Sequence, residues 1–336
     1  MSVESVKKKH VLIATHNGTF HCDDALAVFL IKLLPENKYA KVVRTRDKQL
    51  LDQCDFVLDV GAVYDHETRR YDHHQPSFNH TMNSIIVAKP FCIKLSSAGL
   101  VYTHYGHRII STLSGLDENS PEVDAVFDKV YEKFVQEIDA IDNGIAMCSE
   151  TPVYEIHTNI STRVKHFLPS WREESNDQIL FERFEKAMQM VGNEFVDRVS
   201  FYINDWLPAK KVVEKAIMSR FEVDESGTII DLTSAGGGVP WKEHLFCIEK
   251  EVGIENAIKF VIFEDKDWRV MSVPISSYSF QLRNALHEEW RGLRDEELSN
   301  KSGIDGCVFV HINGFIGGNR TRSGALQMAK SSLKSV

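Results

Sequence analysis

Over the first 60 residues short apolar runs alternate with helical stretches. Residues 10–15 form a compact, mostly apolar run suited to a buried strand. Residues 23–34 carry apolar side chains on most faces, use good helix formers and stop at Pro35. Residues 41–45 predict a second strand, 47–54 a short helix, and 56–60 a third strand ending at Gly61. Strand, helix, strand, helix, strand with short links predicts a parallel sheet covered by helices and joined by right-handed crossovers.

The pattern then changes twice. Residues 64–78 are rich in turn formers. Ser96 caps an expected helix reaching about residue 113. Residues 121–142 place Val123, Val126, Phe127, Val130, Phe134, Ile138 and Ile141 at helical spacing, and Asn143-Gly144 ends that helix. A second long helix is expected over 176–206, broken by Pro208. Beyond residue 222 short strands dominate, at 228–232, 245–249, 259–263, 269–274 and 307–312. The organisation expected is an N-terminal α/β domain over residues 1–170, a helical connector over 171–206, and a smaller α+β domain over 207–336.

Composition narrows the function. The 336 residues are 43% hydrophobic and 26% charged, ordinary for a folded soluble chain. The longest nearly apolar run, residues 25–34, contains Lys32 and is half of what a membrane-spanning helix needs, so no membrane role is expected. A net charge of −9 argues against a protein that coats nucleic acid, whose affinity comes from a basic surface. It leaves open an enzyme that grips phosphates locally through metal ions. The six cysteines are scattered without a C-x-x-C pair, which points to a reducing, intracellular setting. The N-terminal Lys cluster lacks a following signal-peptide core and is too short, with Glu4, to read as a mitochondrial transit peptide.

Seven of the 14 histidines fall before residue 81. His16, His21, Asp23 and Asp24 follow the first strand directly, and ligands of open parallel sheets bind beyond the carboxyl ends of strands. Asp23 has a plainer reading as a helix cap. Asp59 sits between Leu58 and Val60, and an aspartate there is costly to bury without a cation, unless it only forms the turn before Gly61. Asp72-His73-His74 offers one oxygen and two nitrogen donors within three residues, and adjacent side chains of an extended segment point to opposite sides. Asp142 ends a helix, where its charge opposes the macrodipole, so either a nearby cation or an Asp-Asn-Gly turn explains it. Taken together, four segments supply imidazoles and carboxylates without cysteine. That donor set suits Mn²⁺ first, with Mg²⁺ or Zn²⁺ as alternatives, and a bridging carboxylate suits a pair of ions serving displacement at phosphorus.

This constellation resembles the DHH phosphoesterase superfamily, whose motif is Asp72-His73-His74. Within it the chain is most similar to the melanocyte-proliferating-gene exonucleases, through THNGTFHCDDALA at 15–27, VRTRD at 43–47, YDHHQ at 71–75, KLSSAGLVY at 94–102, AIDNG at 140–144, WKEHL at 241–245, WRGLRDEEL at 290–298 and HINGFIGG at 311–318. The resemblance spans about residues 11–330. It implies a parallel-sheet domain with helices on both faces and a C-terminal α+β domain. It also implies a 3′-to-5′ RNA exonuclease using two divalent ions, acting on single-stranded RNA or short oligonucleotides in nuclear and mitochondrial RNA processing. By the same resemblance Asp59 bridges the ions, His16 and His21 lie at one site with Asp23, and His73 and Asp142 complete the other. His74 faces the scissile phosphate and Asp72 orients the pair.

Two departures accompany it. The family's first motif usually ends in Glu where this chain has Asp24, which is therefore expected to stand behind the ligands. The superfamily's C-terminal Gly-rich loop carries a histidine, and residues 317–322 here have none. Gly317 and Gly318 are expected to cradle a phosphate with their backbone N–H groups before a helix near Ser323, aided by Arg320 and Arg322 in a segment free of acidic residues. Arg44 and Arg46 are weaker candidates for that task. Trp241, Trp268 and Trp290 have the faces to stack bases, but a place at the domain interface is expected. Two other functions fit the same residues: a phosphodiesterase or pyrophosphatase for short oligonucleotides or cyclic dinucleotides, and a non-catalytic protein that keeps the metal for stability.

Overall fold

A computed structural model describes residues 10–236 and 238–334. The N-terminal Lys cluster considered for targeting lies outside the described residues. Chain contacts divide the protein into two compact units, one ending at Ile203 and the other beginning at Asn204.

In the first unit β1 (Leu12–Thr15) leads to α1 (Cys22–Leu33), β2 (Lys41–Arg44), α2 (Lys48–Leu51), β3 (Phe56–Leu58), β4 (Tyr64–Asp65) and β5 (Arg70–Tyr71). The sheet order is β2-β1-β3-β5-β4. Strands β2, β1, β3 and β5 run parallel and β4 is antiparallel at the edge. The loops after β1, β3 and β5 thus leave the same sheet edge, which is where parallel sheets place ligands. Helices α3 (Met82–Ile85), α4 (Ser97–Ser114), α5 (Pro121–Val130), α6 (Gln136–Asp142), α7 (Ile160–Lys165) and α8 (Asp177–Phe201) follow. A π-helical turn, Tyr131–Val135, joins α5 to α6.

Helix α1 is apolar nearly all round because it is covered on several sides. It packs against α4 and α8, and Leu26, Leu30 and Ile31 are fully buried. Each such side chain stabilises the fold by about 1.5–3 kcal/mol. Gly192 of α8 lets that helix approach so closely that a methyl group there would collide with Phe29. The stretch expected as a separate connector is therefore tied into the first unit through α8. Pro208 does not break the helix as expected. A π-helical turn, Tyr202–Trp206, carries α8 into α9 (Leu207–Met218), with Pro208 in the first turn, where a missing N–H costs little.

The second unit adds α10 (Arg220–Val223), β6 (Ile229–Asp231), α11 (Trp241–Glu251), β7 (Phe260–Glu264), β8 (Trp268–Ser272), α12 (Asp295–Ser302), β9 (Cys307–Val310), β10 (Ile316–Asn319) and α13 (Arg322–Leu333). Its sheet order is β6-β7-β8-β10-β9, with only β6 and β7 parallel. Two expectations are corrected here. Residues 245–249 are helical within α11, because Leu245 and Ile248 fill one buried face at helical spacing. The Gly-rich stretch at 317–318 is not a phosphate-cradling loop. Gly317 and Gly318 lie in the buried strand β10, paired on one side with β8 and on the other with β9. Their glycine character has a packing cause: a Cβ on Gly318 would stand 2.7 Å from Arg269 Nη1 and 3.1 Å from the Phe309 ring. Finally, Trp241 and Trp290 sit in the hydrophobic cores of this unit, with Trp268 packed against one of them, which gives all three a packing role within the unit.

Candidate metal centre

The centre is assembled at the carboxyl edge of the first sheet. His16 follows β1 and is almost fully buried. Its Nδ1 meets the Asn17 carbonyl at 3.1 Å, which turns Nε2 toward two carboxylates, Asp59 Oδ2 at 3.3 Å and Asp24 Oδ2 at 3.4 Å. His21 is the N-cap of α1, and its backbone N–H donates to Asp24 Oδ1 at 2.8 Å. Asp24 thus closes the first turn of the helix with one oxygen and backs His16 with the other. Asp23 is buried, and neither of its carboxylate oxygens has a hydrogen-bond partner.

Asp59 leaves β3 with φ of +58°, Gly61 follows at +95° and Ala62 at +54°. A left-handed non-glycine backbone costs about 1–2 kcal/mol, less for Asp. The turn aims the Asp59 carboxylate back over the sheet edge, where Ser97 Oγ donates to Oδ1 at 3.1 Å. It also directs the Ala62 N–H onto Asp72 Oδ2 at 2.6 Å. His73 Nε2 stands 3.0 Å from Asp142 Oδ2, 3.4 Å from Asp59 Oδ1 and 3.9 Å from Asp23 Oδ2. His74 Nδ1 donates to Asp72 Oδ1 at 2.7 Å and lies 3.5 Å from Asp59 Oδ1. His74 is the outward member of the pair, its side chain 59% exposed, whereas that of His73 is 5% exposed.

The electrostatics are those of a site short of positive charge. Burial, then the neighbouring carboxylates of Asp59, Asp142 and Asp24, drive the Asp23 pKa well above the ordinary carboxylate range. Burial pushes Asp24 up to about 7 against the pull of His16. For Asp59 burial works in the same sense, but the hydrogen bonds of His16 and His73 outweigh it and hold the group low. His73 is pushed up to about 10, its desolvation overcome by Asp142 and Asp59. A buried carboxylate with two unpartnered oxygens is costly, and a divalent cation at that point removes the cost.

Donor atoms form three groups, each within 4.8 Å: His16, His21 and Asp59; Asp59, His73 and His74; His21, Asp23 and Asp142. Asp59 belongs to two groups and His21 to two, and a shared carboxylate such as Asp59 is what could bridge a pair of ions. All the expected ligand positions therefore meet at one place. The arrangement differs in detail from the resemblance, because Asp23 groups with Asp142 and His21, within reach of His73. Sequence reasoning missed Asn143 and Ser97. Asn143 Oδ1 lies 3.3 Å from His73 Nδ1, and its Nδ2 donates to the Lys94 and Asp139 carbonyls. Within Asp-Asn-Gly the sequence marks Asp142 as a candidate, but Asn143 only as part of the helix stop or turn. Nothing in the spacing marks Ser97, which arrives from the start of α4.

Similarity to known proteins bears on the same residues. The family model MYG1_exonuc, described as "Uncharacterised protein family (UPF0160)", matches residues 12–333. The chain belongs to the MYG1 family. It is 51% identical over 324 residues to the "MYG1 exonuclease" of Homo sapiens, covering 96% of this chain and 85% of that one. The "MYG1 exonuclease" of Rattus norvegicus is also 51% identical, at 96% and 84% coverage. A "MYG1 protein" of Dictyostelium discoideum is 47% identical over 325 residues, at 96% coverage of each chain. One solved structure, titled as the DHH domain of a member of the s1p family of ribosomal proteins, aligns with 97% of this chain and 87% of its own at 13% identity. Its TM-score of 0.27 is too low to carry an argument.

The arginines expected to bind phosphate separate. Arg44 Nη2 donates to the Gly18 carbonyl at 2.9 Å and its guanidinium lies over the Phe20 and Phe184 rings, so it braces the loop that presents His16 and His21. Arg322, the first residue of α13, pairs with Asp231 at 2.6 Å. Arg320 is exposed, and no ion pair engages it among the described residues. Among the described residues no helix is long and apolar enough to cross a membrane.

Proposed function

We propose that this chain is a divalent-metal-dependent 3′-to-5′ exoribonuclease. It hydrolyses phosphodiester bonds of single-stranded RNA and releases nucleoside monophosphates. The observation that carries the reading is Asp59 set between His16 and His73 beside the unpartnered, buried Asp23. The relatives named exonucleases favour a nucleic-acid substrate. RNA, the direction, and a nuclear and mitochondrial setting rest on the family resemblance.

His16, His21 and Asp59 would hold one ion, and His73 with the carboxylates around its Nε2, those of Asp59, Asp142 and Asp23, the other, Mn²⁺ being the best match to mixed imidazole and carboxylate donors. When bound, the ions supply Lewis acidity to the phosphoryl group and compensate its charge. Proton handling falls to His74. Its Nδ1–H is engaged by Asp72, itself held by the Ala62 N–H, so Nε2 is the free nitrogen. The hydrogen bond to Asp72 raises the His74 pKa against its partial desolvation, which favours the protonated ring. As water oxygen joins phosphorus and the P–O3′ bond breaks, the proton on Nε2 passes to the departing O3′, while the proton lost by the attacking water goes to solvent, from which the ring is protonated again. Capture of the strand is assigned in part to the second unit, whose basic C-terminal segment carries Arg320.

The test is a length series of 5′-labelled RNAs with Mn²⁺. A ladder of products each one nucleotide shorter supports the reading. Cleavage confined to dinucleotides or cyclic dinucleotides replaces it with a short-substrate phosphodiesterase. Tight metal binding with no turnover of any phosphodiester replaces it with a metal-stabilised binding protein.

A further inference from the structure

The metal centre opens into a cleft of about 1260 Å³, formed within the first unit. That exceeds the roughly 300–1,000 Å³ of pockets that take one drug-sized ligand. His16, Asp59 and His74 stand in its wall at the metal end. Its floor includes Leu51 and Val57, which belong to a small core cluster with Ala14, Cys54 and Val60. Arg46, on the link after β2, and Lys48, the first residue of α2, line the same cleft. Both are exposed, and neither has an ion-pair partner among the described residues. Arg70 adds a third cation, although its guanidinium already donates to the Thr68 and Cys54 carbonyls at 3.0 and 3.1 Å. Apart from Asp59 and Asp72 at the metal end, Asp52 is the one carboxylate among the lining residues.

In a chain of net charge −9 this flank is locally basic. The scissile phosphate is provided for at the metal end. Cations farther along the cleft therefore call for further phosphates. The geometry points to a subsite at Arg46 and Lys48 that holds the phosphates of the strand continuing from the scissile bond, so that substrate affinity grows beyond a dinucleotide. This rests on the proposed nuclease reading and deepens it, assigning strand grip to the first unit as well.

The experiment measures binding apart from turnover. Fluorescein-labelled oligouridylates of two to eight nucleotides, with a phosphorothioate at the last linkage, are titrated by anisotropy with Ca²⁺ replacing Mn²⁺. The proteins are the wild type, Arg46→Ala/Lys48→Ala, and Lys38→Ala/Lys41→Ala, which removes two charges outside the cleft. The wild-type Kd is expected to fall at least tenfold between two and five nucleotides. The Arg46→Ala/Lys48→Ala variant flattens that gain and lowers the slope of log K against log salt by about 1.4, two phosphates' worth for a single strand. The Lys38→Ala/Lys41→Ala variant binds as the wild type does. If the cleft variant melts early, Arg46→Gln/Lys48→Gln is measured in its place. The subsite is overturned if the wild type gains nothing with length, binds no oligonucleotide, or loses nothing with the two cations. Turnover of the unmodified octamer with Mn²⁺ is read separately. Its absence with length-dependent binding intact sinks the nuclease reading alone, whereas ladder formation with an insensitive cleft variant sinks the subsite alone.

Discussion

Asn143 Oδ1 accepts a hydrogen bond from His73 Nδ1 at 3.3 Å. The assignment follows from the other end of the amide, since Nδ2 donates to two carbonyls, Lys94 at 3.0 Å and Asp139 at 2.9 Å, and so must be the nitrogen. The Nδ1–H is thereby held by Asn143, which leaves Nε2, facing Asp59 and Asp142, as the nitrogen that would give its lone pair to a cation once its own proton is displaced. Partners that orient a metal-bound histidine in this way are worth about 10–100-fold in metal affinity or activity. Asn143→Ala is expected to weaken Mn²⁺ binding by a factor in that range while leaving the fold intact. Titration calorimetry beside circular dichroism checks both, and an unchanged affinity would remove Asn143 from the site.

Asp59 is shared by two of the ligand groups. Asp59→Asn removes the charge but keeps the shape, and its effect should exceed that of any outer partner. Turnover is expected to fall by more than about 100-fold. The metal-induced rise in melting temperature should shrink with it. For the wild type, Mn²⁺ at 100 times its Kd contributes about 2.7 kcal/mol of stability, and chelation with EDTA removes it. A variant that melts and binds Mn²⁺ like the wild type contradicts the bridging role.

On the proposed mechanism, a change at His74 separates proton transfer from metal retention. It is the exposed member of the histidine pair and is clamped by Asp72. His74→Ala is expected to keep its Mn²⁺, as measured by elemental analysis, while kcat falls by about 10²–10⁴. The alkaline limb of the kcat profile should vanish with it. Loss of metal together with activity would make His74 a ligand instead.

His104 contributes one element of acid sensitivity. Its ring stacks on His66 at 3.8 Å between centroids, and its Nε2 pairs with Tyr64 Oη at 2.8 Å. Burial, then the His66 charge, lowers its pKa from 6.5 to about 4. Between those values the unfolded chain binds the proton and the folded chain does not, so stability falls as pH drops from 6.5 to 4. Partial exposure reduces the full linkage to about 1–2 kcal/mol. Thermal melts at pH 7 and pH 5 should show a smaller acid shift for His104→Gln than for the wild type, and equal shifts would refute the assignment.

Gly318 tests the corrected reading of the second unit. As part of a paired strand in which a methyl group would press on the Phe309 ring and displace the Arg269 guanidinium, Gly318→Ala should cost about 1 kcal/mol of stability, read by denaturant unfolding. As an open phosphate loop it would tolerate the change.

The sequence by itself determined the parallel sheet, because buried strands and amphipathic helices impose periods of their own on apolar positions. It also marked the residues that the structure brings together as a candidate site. His16, His21, Asp59, His73 and Asp142 each stand at the end of an expected strand or helix, or in a turn after one. In a parallel sheet those ends converge. Tertiary structure alone decided which carboxylate serves which imidazole, since Asp23 takes its place beside Asp142 and His21 through the packing of α1 on its neighbours. It also decided the roles of Ser97 and Asn143, whose contacts cross 38 and 70 residues of chain. Gly317 and Gly318 show the reverse limit. A glycine pair reads the same in sequence whether it frees a loop or lets two strands close on a third, and only the partners' positions tell these apart.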